Sequence, residues 1–209
     1  MTIKKKFVVA GIGFGDIIII IRDFLKNNPN YEFVGFVDDN PHYQNKKIEN
    51  YKVVGKWTCL QKMKCEVFNS VAKTMQIRKL AQHKLDRYRV KYINLIHSSS
   101  DLGDCKLGKG IAIFNNVFIG NNVKIGSQTI IHSSCSIGHD AEIGNNCFLA
   151  PGVKVLGKVK VGNNVLLGSN SVCLSGIKIG DNSKISACSF ATEDVPKNRT
   201  VLGVPGRIF

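Results

Sequence analysis

His139 and Asp140 stand side by side in Ile137-Gly138-His139-Asp140, a base and a carboxylate within reach of one another. A neighbouring carboxylate raises the basicity of an imidazole and fixes its tautomer, which is what taking a proton from an attacking amine or hydroxyl requires. An exposed polar turn would use the same two residues, and the pair alone leaves both readings open. His132 lies seven residues earlier, with no third ligand nearby, so a catalytic zinc, which normally takes three protein ligands, is not expected. No serine sits on a G-x-S-x-G elbow. Two further constellations lie near the N-terminus, the loop Gly11-Ile12-Gly13-Phe14-Gly15 and the acidic pair Asp38-Asp39.

Those constellations need elements to hold them. Residues 7–10 read as a short apolar strand that runs into the glycine loop, and residues 16–27 as a helix after it. A strand, a glycine-rich turn and a helix make either a tight turn or a corner that accepts a phosphate or nucleotide near the positive helix end. A second strand, residues 31–37, delivers Asp38 and Asp39 to its carboxyl end, where open α/β sheets bind ligands; a turn or cap role is the alternative. The six-residue dinucleotide fingerprint is absent, so NAD is not expected. Residues 52–55 read as a connection and 66–71 as a third strand. Residues 74–86 have the spacing of a helix that packs through Met75, Ile77, Leu80 and Ala81, and 90–96 read as a fourth strand. This alternation predicts a small Rossmann-like parallel sheet over residues 1–97.

The rest of the chain follows a different period. An apolar residue recurs at every sixth position from Ile119 to Ala191, through Ile137, Val155 and Cys173, and the phase extends back to Leu107. The residue two before each mark is small or β-branched, as in Val117, Cys135, Ala141 and Val153, so each rung offers two inward side chains. Gly follows many of the marks, often with Asn-Asn or Asp-Asn after it. This is the signature of a parallel β-helix with three short strands per coil of 18 residues. Gly, Asn and Asp are expected to supply left-handed backbone at the corners. Residues 98–209 form this domain, and the Pro-containing tail after Val195 is expected to cap its open end.

Composition narrows the function classes. The chain carries 29 Lys and Arg against 15 Asp and Glu, a net charge of +14 concentrated in residues 1–97, where 18 basic face 8 acidic residues. No helix-turn-helix, zinc finger or aromatic-basic motif accompanies the charge, so nucleic acid is not expected as a partner. No apolar run is long enough to span a membrane, and no secretory signal is read at the N-terminus. Seven cysteines without a C-x-x-C pair, four of them on inward phases of the repeat, fit small core residues in a reducing cytoplasm.

The repeat, Gly138-His139-Asp140, Ala150-Pro151-Gly152-Val153 and the tail Gly203-Val204-Pro205 together resemble the left-handed β-helix (hexapeptide-repeat) acyltransferases. With the N-terminal domain in front, the chain resembles more narrowly the bacterial sugar O/N-acetyltransferases, which include the bacillosamine-pathway nucleotide-amino-sugar N-acetyltransferases and the sialic acid O-acetyltransferases. The resemblance implies a homotrimer with active sites between subunits and acetyl-CoA as co-substrate. It implies N-acetylation of a UDP- or dTDP-linked 4-amino-4,6-dideoxy sugar for surface-glycan or glycoprotein sugar synthesis. His139 would be the general base and Asp140 its orienting carboxylate. Gly157 would offer a backbone N–H to the thioester carbonyl. Gly168, Ser169, Ala187 and Pro205 would line the coenzyme A cleft, with Phe148 where the family places a second His. Asp38 and Asp39 would contact the sugar nucleotide, above Gly11, Gly13, Phe14 and Gly15. Phe14 replaces a His common in that loop, which is one residue shorter here. Ala72-Lys73 replaces a Gly-Asn, and His132 an Asn beside the substrate. Two other activities remain on this reading, O-acetylation of sialic acid or a related free sugar, and a non-catalytic β-helix that binds or scaffolds.

Overall fold

Phe7, Val8, Val9 and Ala10 lose all solvent exposure because the strand that holds them is paired on both sides and covered on both faces. In the computed structural model, which describes residues 3–13 and 15–209, this strand is β1 (Lys5–Ala10). Contacts divide the chain into two compact units, Met1–Leu95 and Ile96–Phe209.

In the first unit β1 pairs parallel with β2 (Tyr31–Val37) on one side and β5 (Glu66–Asn69) on the other. β6 (Lys91–Tyr92) continues the parallel sheet beyond β5. β4 (Tyr51–Gly55) continues it beyond β2 and is joined antiparallel by the short β3 (Lys47–Ile48). Residues 52–55, expected as a connection, are therefore a strand. Their short run of apolar residues hides in a sequence that pattern alone cannot separate from a loop. The fourth strand expected over 90–96 is broken into Lys91–Tyr92 and Leu95–Ile96.

Helix α1 (Ile17–Asn27) crosses from β1 to β2. Its five consecutive isoleucines favour strand, but Ile17, Ile20, Ile21 and Phe24 recur at i, i+3, i+4 and i+7, and burying that stripe on the sheet overrides local preference. Helix α2 (Met75–Arg87) starts at Thr74, whose side chain accepts from the Ile77 N–H at 3.1 Å. Of the residues expected to pack, Ala81 is buried and Met75 half-buried, but Ile77 and Leu80 are not. Arg78, Ala81 and Leu85 are buried, whereas Ile77 and Leu80 are 40% and 68% exposed. Arg78 turns the helix, because its buried Nη1 donates to the carbonyls of Asn69 (3.0 Å) and Val71 (2.9 Å) at the end of β5.

The second unit is a parallel β-helix. Three sheets form its sides, and each two- or three-residue strand pairs parallel with the strand one coil on, as Phe118-Ile119 does with Ser136-Ile137. Every sixth-residue mark from Ile119 to Ala191 is buried, and so is the residue two before it. These two columns form one continuous core in which no coil is stable alone.

The corners correct one expectation. Left-handed backbone, with φ between +54° and +79°, falls on the third residue after each mark up to Ile185, from Asn116 and Asn122 to Asp140, Asn164 and Cys188. The glycine directly after the mark is needed for a different reason. A Cβ on Gly138 would come within 2.5 Å of the Gly157 N, because successive coils touch there. At the open end Thr200–Leu202 pairs with Lys184–Ile185, and Arg207–Ile208 folds back on it antiparallel. Gly206 N–H also donates to the Phe190 carbonyl at 2.8 Å, so the tail pairs with the last rung.

Candidate functional site

Asp140 occupies a left-handed corner position (φ +59°), one of the few places where Asp and Asn are favoured over other side chains. That turn sets its carboxylate against the preceding residue, and His139 Nδ1 lies 2.8 Å from Asp140 Oδ2. The His139 hydrogen bond, supported by the Asn122 amide at 3.2 Å, holds the Asp140 carboxyl below its ordinary range. The carboxylate accepts, so Nδ1 carries a proton, and in the neutral imidazole the lone pair is then on Nε2. His139 is 64% exposed.

One coil further on, Gly157 stacks on this corner. A Cβ there would sit 2.7 Å from His139 Nε2. The Gly157 carbonyl accepts from the Ser175 hydroxyl (2.6 Å) and the Gly176 N–H (3.0 Å), which fixes the Gly157–Lys158 peptide, while the N–H of Gly157, in the peptide before it, is used by no group among the described residues. His139, Asp140 and Gly157 are thus brought together.

The residues expected along a coenzyme cleft lie on another corner of the coil. Gly168 stacks under Ala187, whose N would be 2.4 Å from an added Cβ, and the Ser169 carbonyl accepts from the Cys188 N–H at 2.8 Å. Pro205 is exposed in the capping tail. His132 is 9% exposed, with its ring stacked on Phe114 at 4.4 Å and 3°, and half-buried Phe148 packs against it at 6.4 Å.

In the first unit the glycine loop is drawn tightly onto the protein. Gly11 has φ +85°, and a Cβ on Gly13 would lie 1.6 Å from the Ser70 carbonyl oxygen and 3.1 Å from the Ala72 N. Gly11 N–H donates to Val37 O (2.8 Å), Ile12 N–H to Asp38 Oδ2 (2.9 Å) and Gly13 N–H to Ser70 Oγ (3.5 Å). These amides are engaged inside the protein, and Asp38, which also accepts from Asn40 N–H at 2.8 Å, tethers the loop. Gly15 has open space around it, Lys73 is exposed, and Phe14 lies outside the described residues.

Asp39 faces a cleft of about 290 Å³ bordered by Gly11, Trp57, Val71, Ile77, Leu80 and Lys84. Partial burial raises its affinity for a proton, but the Lys84 ammonium and the Trp57 N–H (2.9 Å) outweigh this and hold the carboxyl below its ordinary range. Sequence reasoning missed Trp57, Lys84 and the organising Arg78. The lone Trp of the chain was the available signal for the first. The exposed apolar pair Ile77 and Leu80, expected in the core, belongs to this cleft.

Residues 122–157 and 140–175 match the family model described as bacterial transferase hexapeptide (six repeats). Residues 122–175 therefore carry the hexapeptide repeat. No curated protein matches the sequence. Among solved structures it is similar to PerB from Caulobacter crescentus in complex with CoA and GDP-perosamine, at 25% identity and a TM-score of 0.86, over 98% of this chain and 97% of that one. WeeI from Acinetobacter baumannii AYE is 20% identical, with a TM-score of 0.87 over 99% and 100%. The acetyltransferase domain of PglB from Neisseria gonorrhoeae FA1090, in complex with acetyl coenzyme A, is 18% identical with a TM-score of 0.71 over 99% and 100%. The resemblance to sugar acetyltransferases of the left-handed β-helix type agrees with these neighbours. No described helix is long and apolar enough to cross a membrane, and no group of three or more metal-ligating side chains is found among the described residues.

Proposed function

We propose that this protein is an acetyl-CoA-dependent N-acetyltransferase that acetylates the amine of a nucleotide-linked 4-amino sugar. The enzyme class follows the similar proteins that hold CoA or acetyl coenzyme A. The observation that carries the mechanism is the corner at which His139 is bound through Nδ1 to Asp140 while its Nε2 faces the Cα of Gly157. The absence of a Cβ on Gly157 is what lets the imidazole lie this close to the next coil.

Acetyl-CoA supplies the acetyl group already activated as a thioester. His139 Nε2 takes the proton that the sugar amine gives up as its nitrogen bonds the acetyl carbon, and returns it to the sulfur that leaves. Asp140 keeps the tautomer and steadies the imidazolium. The Gly157 N–H, which no described group uses, donates to the carbonyl oxygen as charge gathers there. General-base assistance of this kind is worth about 10²–10⁴-fold in rate. His139→Ala tests the assignment: release of CoA with the amino-sugar nucleotide should fall by that factor, and unchanged turnover would sink it.

The N-terminal unit, with its Rossmann-like order of parallel strands, is the sugar-nucleotide domain in this reading. Support comes from Asp38, Asp39 and the glycine loop, all at the carboxyl ends of β1 and β2. GDP, carried by the perosamine complex, joins UDP and dTDP as the nucleotide. Calorimetric titration with the three ranks them, and binding of none would favour O-acetylation of a free sugar.

A trimer completes the site. One face of a coil is a flat ladder, and a second copy laid against it makes the cleft that positioning an acyl donor needs. Phe118, apolar and 49% exposed on an outward phase, gains cover there. Light scattering that finds a fully active monomer would refute the shared site. The seven cysteines are free thiols, which supports a reducing cytoplasm.

A further inference from the structure

The nucleotide-sugar reading uses the carboxyl ends of the strands in the first unit and leaves the opposite edge unassigned. There the amino ends of β1, β5 and β6 lie side by side, with Phe7 opposite Glu66 and Glu66 opposite Lys91. The carboxyl end of α2 comes down beside them. Together they enclose a cavity of about 690 Å³, the size of a small-molecule site. Five cations line it: Lys5, Lys6, Lys64, Arg89 and Lys91. Lys5 is shared with the Tyr31 ring at 5.7 Å and Lys6 with Glu32 at 3.8 Å. Lys64, Arg89 and Lys91 have no carboxylate partner among the described residues. The α2 terminus adds roughly half an elementary negative charge, small against this set.

Two features separate this cavity from an ordinary solvated basic surface. The floor holds Leu60, Met63 and Tyr88, apolar or aromatic surface against which an organic body can lie. Glu66 also borders the cavity; the Tyr31 hydroxyl hydrogen-bonds to its carboxylate, and its buried Oε2 has no further partner among the described residues. Arg89 follows the helix at φ +54°, a position where Gly is the default, and borders the cavity.

We propose that this edge is a second ligand site, for a small phosphorylated metabolite that also carries a hydroxyl or amino donor, such as a sugar phosphate. Lys64, Arg89 and Lys91 take the phosphate, the guanidinium matching its oxygens in pairs. Glu66 accepts from the hydroxyl or amine, and Tyr88 and Met63 cover the body. The site is independent of acetyl transfer.

Met63 makes the test local. In the intact protein labelled with ¹³C at the methionine methyls, glucose 1-phosphate and inorganic pyrophosphate are expected to shift the Met63 signal saturably while Met75, at the start of α2, stays in place. Lys64 and Arg89 are exposed, so the double variant Lys64→Ala/Arg89→Ala keeps the fold and weakens both ligands by about tenfold or more. Glu66→Gln weakens glucose 1-phosphate and spares pyrophosphate. A Met63 signal that does not move at roughly millimolar ligand, the weak end of specific binding, overturns the proposal. So does a shift that persists unchanged in the double variant, or sedimentation with phosphatidylglycerol vesicles in the absence of any response to the two soluble probes.

Discussion

Replacing Gly157 with Ala places one methyl group where the proposed base must work. The added Cβ would stand 2.7 Å from His139 Nε2 and 3.1 Å from both Cδ2 and Cε1, against 3.4–4 Å for ordinary contact. The ring must therefore move by roughly 1 Å, and a misplacement of that size costs about 10² in rate. It can move cheaply, since His139 is 64% exposed and its one side-chain tie among the described residues is the bond to Asp140. Stability should accordingly change by less than about 1 kcal/mol, a shift of a few degrees in Tm. Turnover, followed as thiol release from acetyl-CoA with GDP-, UDP- and dTDP-linked 4-amino sugars, should fall by about 10²-fold or more. Because the two residues act as one unit, Gly157→Ala should cost almost nothing further in a His139→Ala background. A folded Gly157→Ala enzyme with turnover within about twofold of the parent, or losses that simply multiply in the double variant, would refute the corner as the catalytic site.

Asp38→Ala removes the acceptor of the Ile12 and Asn40 N–H groups and should weaken nucleotide binding by about 5- to 100-fold, read by calorimetry, with turnover at saturating nucleotide less affected. The Asp39 carboxyl is held below its ordinary value of 3.8, so its tie to Lys84 stabilises the cleft above that value and is lost as pH falls through the lowered one; Trp57 fluorescence should report an opening in that acid range that Asp39→Asn abolishes. Burial pushes the Cys135 thiol up to about 11 and those of Cys147 and Cys173 to about 12, so a thiol reagent at neutral pH should label exposed Cys188 quickly and these three only on unfolding. Ile137→Ala opens a cavity in the continuous core and should cost about 2–5 kcal/mol in denaturant unfolding.

A coil of 18 residues explains why much of the candidate site could be read before any coordinate. Adding one coil to His139 gives Gly157, and a six-residue period with two inward positions admits few arrangements other than stacked rungs, so contact between these two follows from counting. The same period puts Asp140 three residues after a mark. The first unit was less legible. Its short runs, such as Tyr51–Gly55 and Lys91–Tyr92, carry too few residues for a period to emerge, and their strand character comes from the neighbour they pair with.

The repeat by itself determined the coil, its core columns and the pairing of a base with a glycine one turn above it, because each depends on spacing along one chain. Tertiary structure decided what spacing does not encode. The glycines directly after the marks turned out to answer to the next coil rather than to left-handed φ, which is a distance between coils. Helix α2 buried Arg78 in place of Ile77 and Leu80 because its guanidinium donates to the carbonyls of Asn69 and Val71, several residues away, acceptors that only a folded β5 presents. Trp57 and Lys84 reached Asp39 across 18 and 45 residues, through a sheet whose strand order is a property of the whole unit. Local pattern reports the energy of a segment against its own period, whereas these contacts are set by which segments the sheet places side by side.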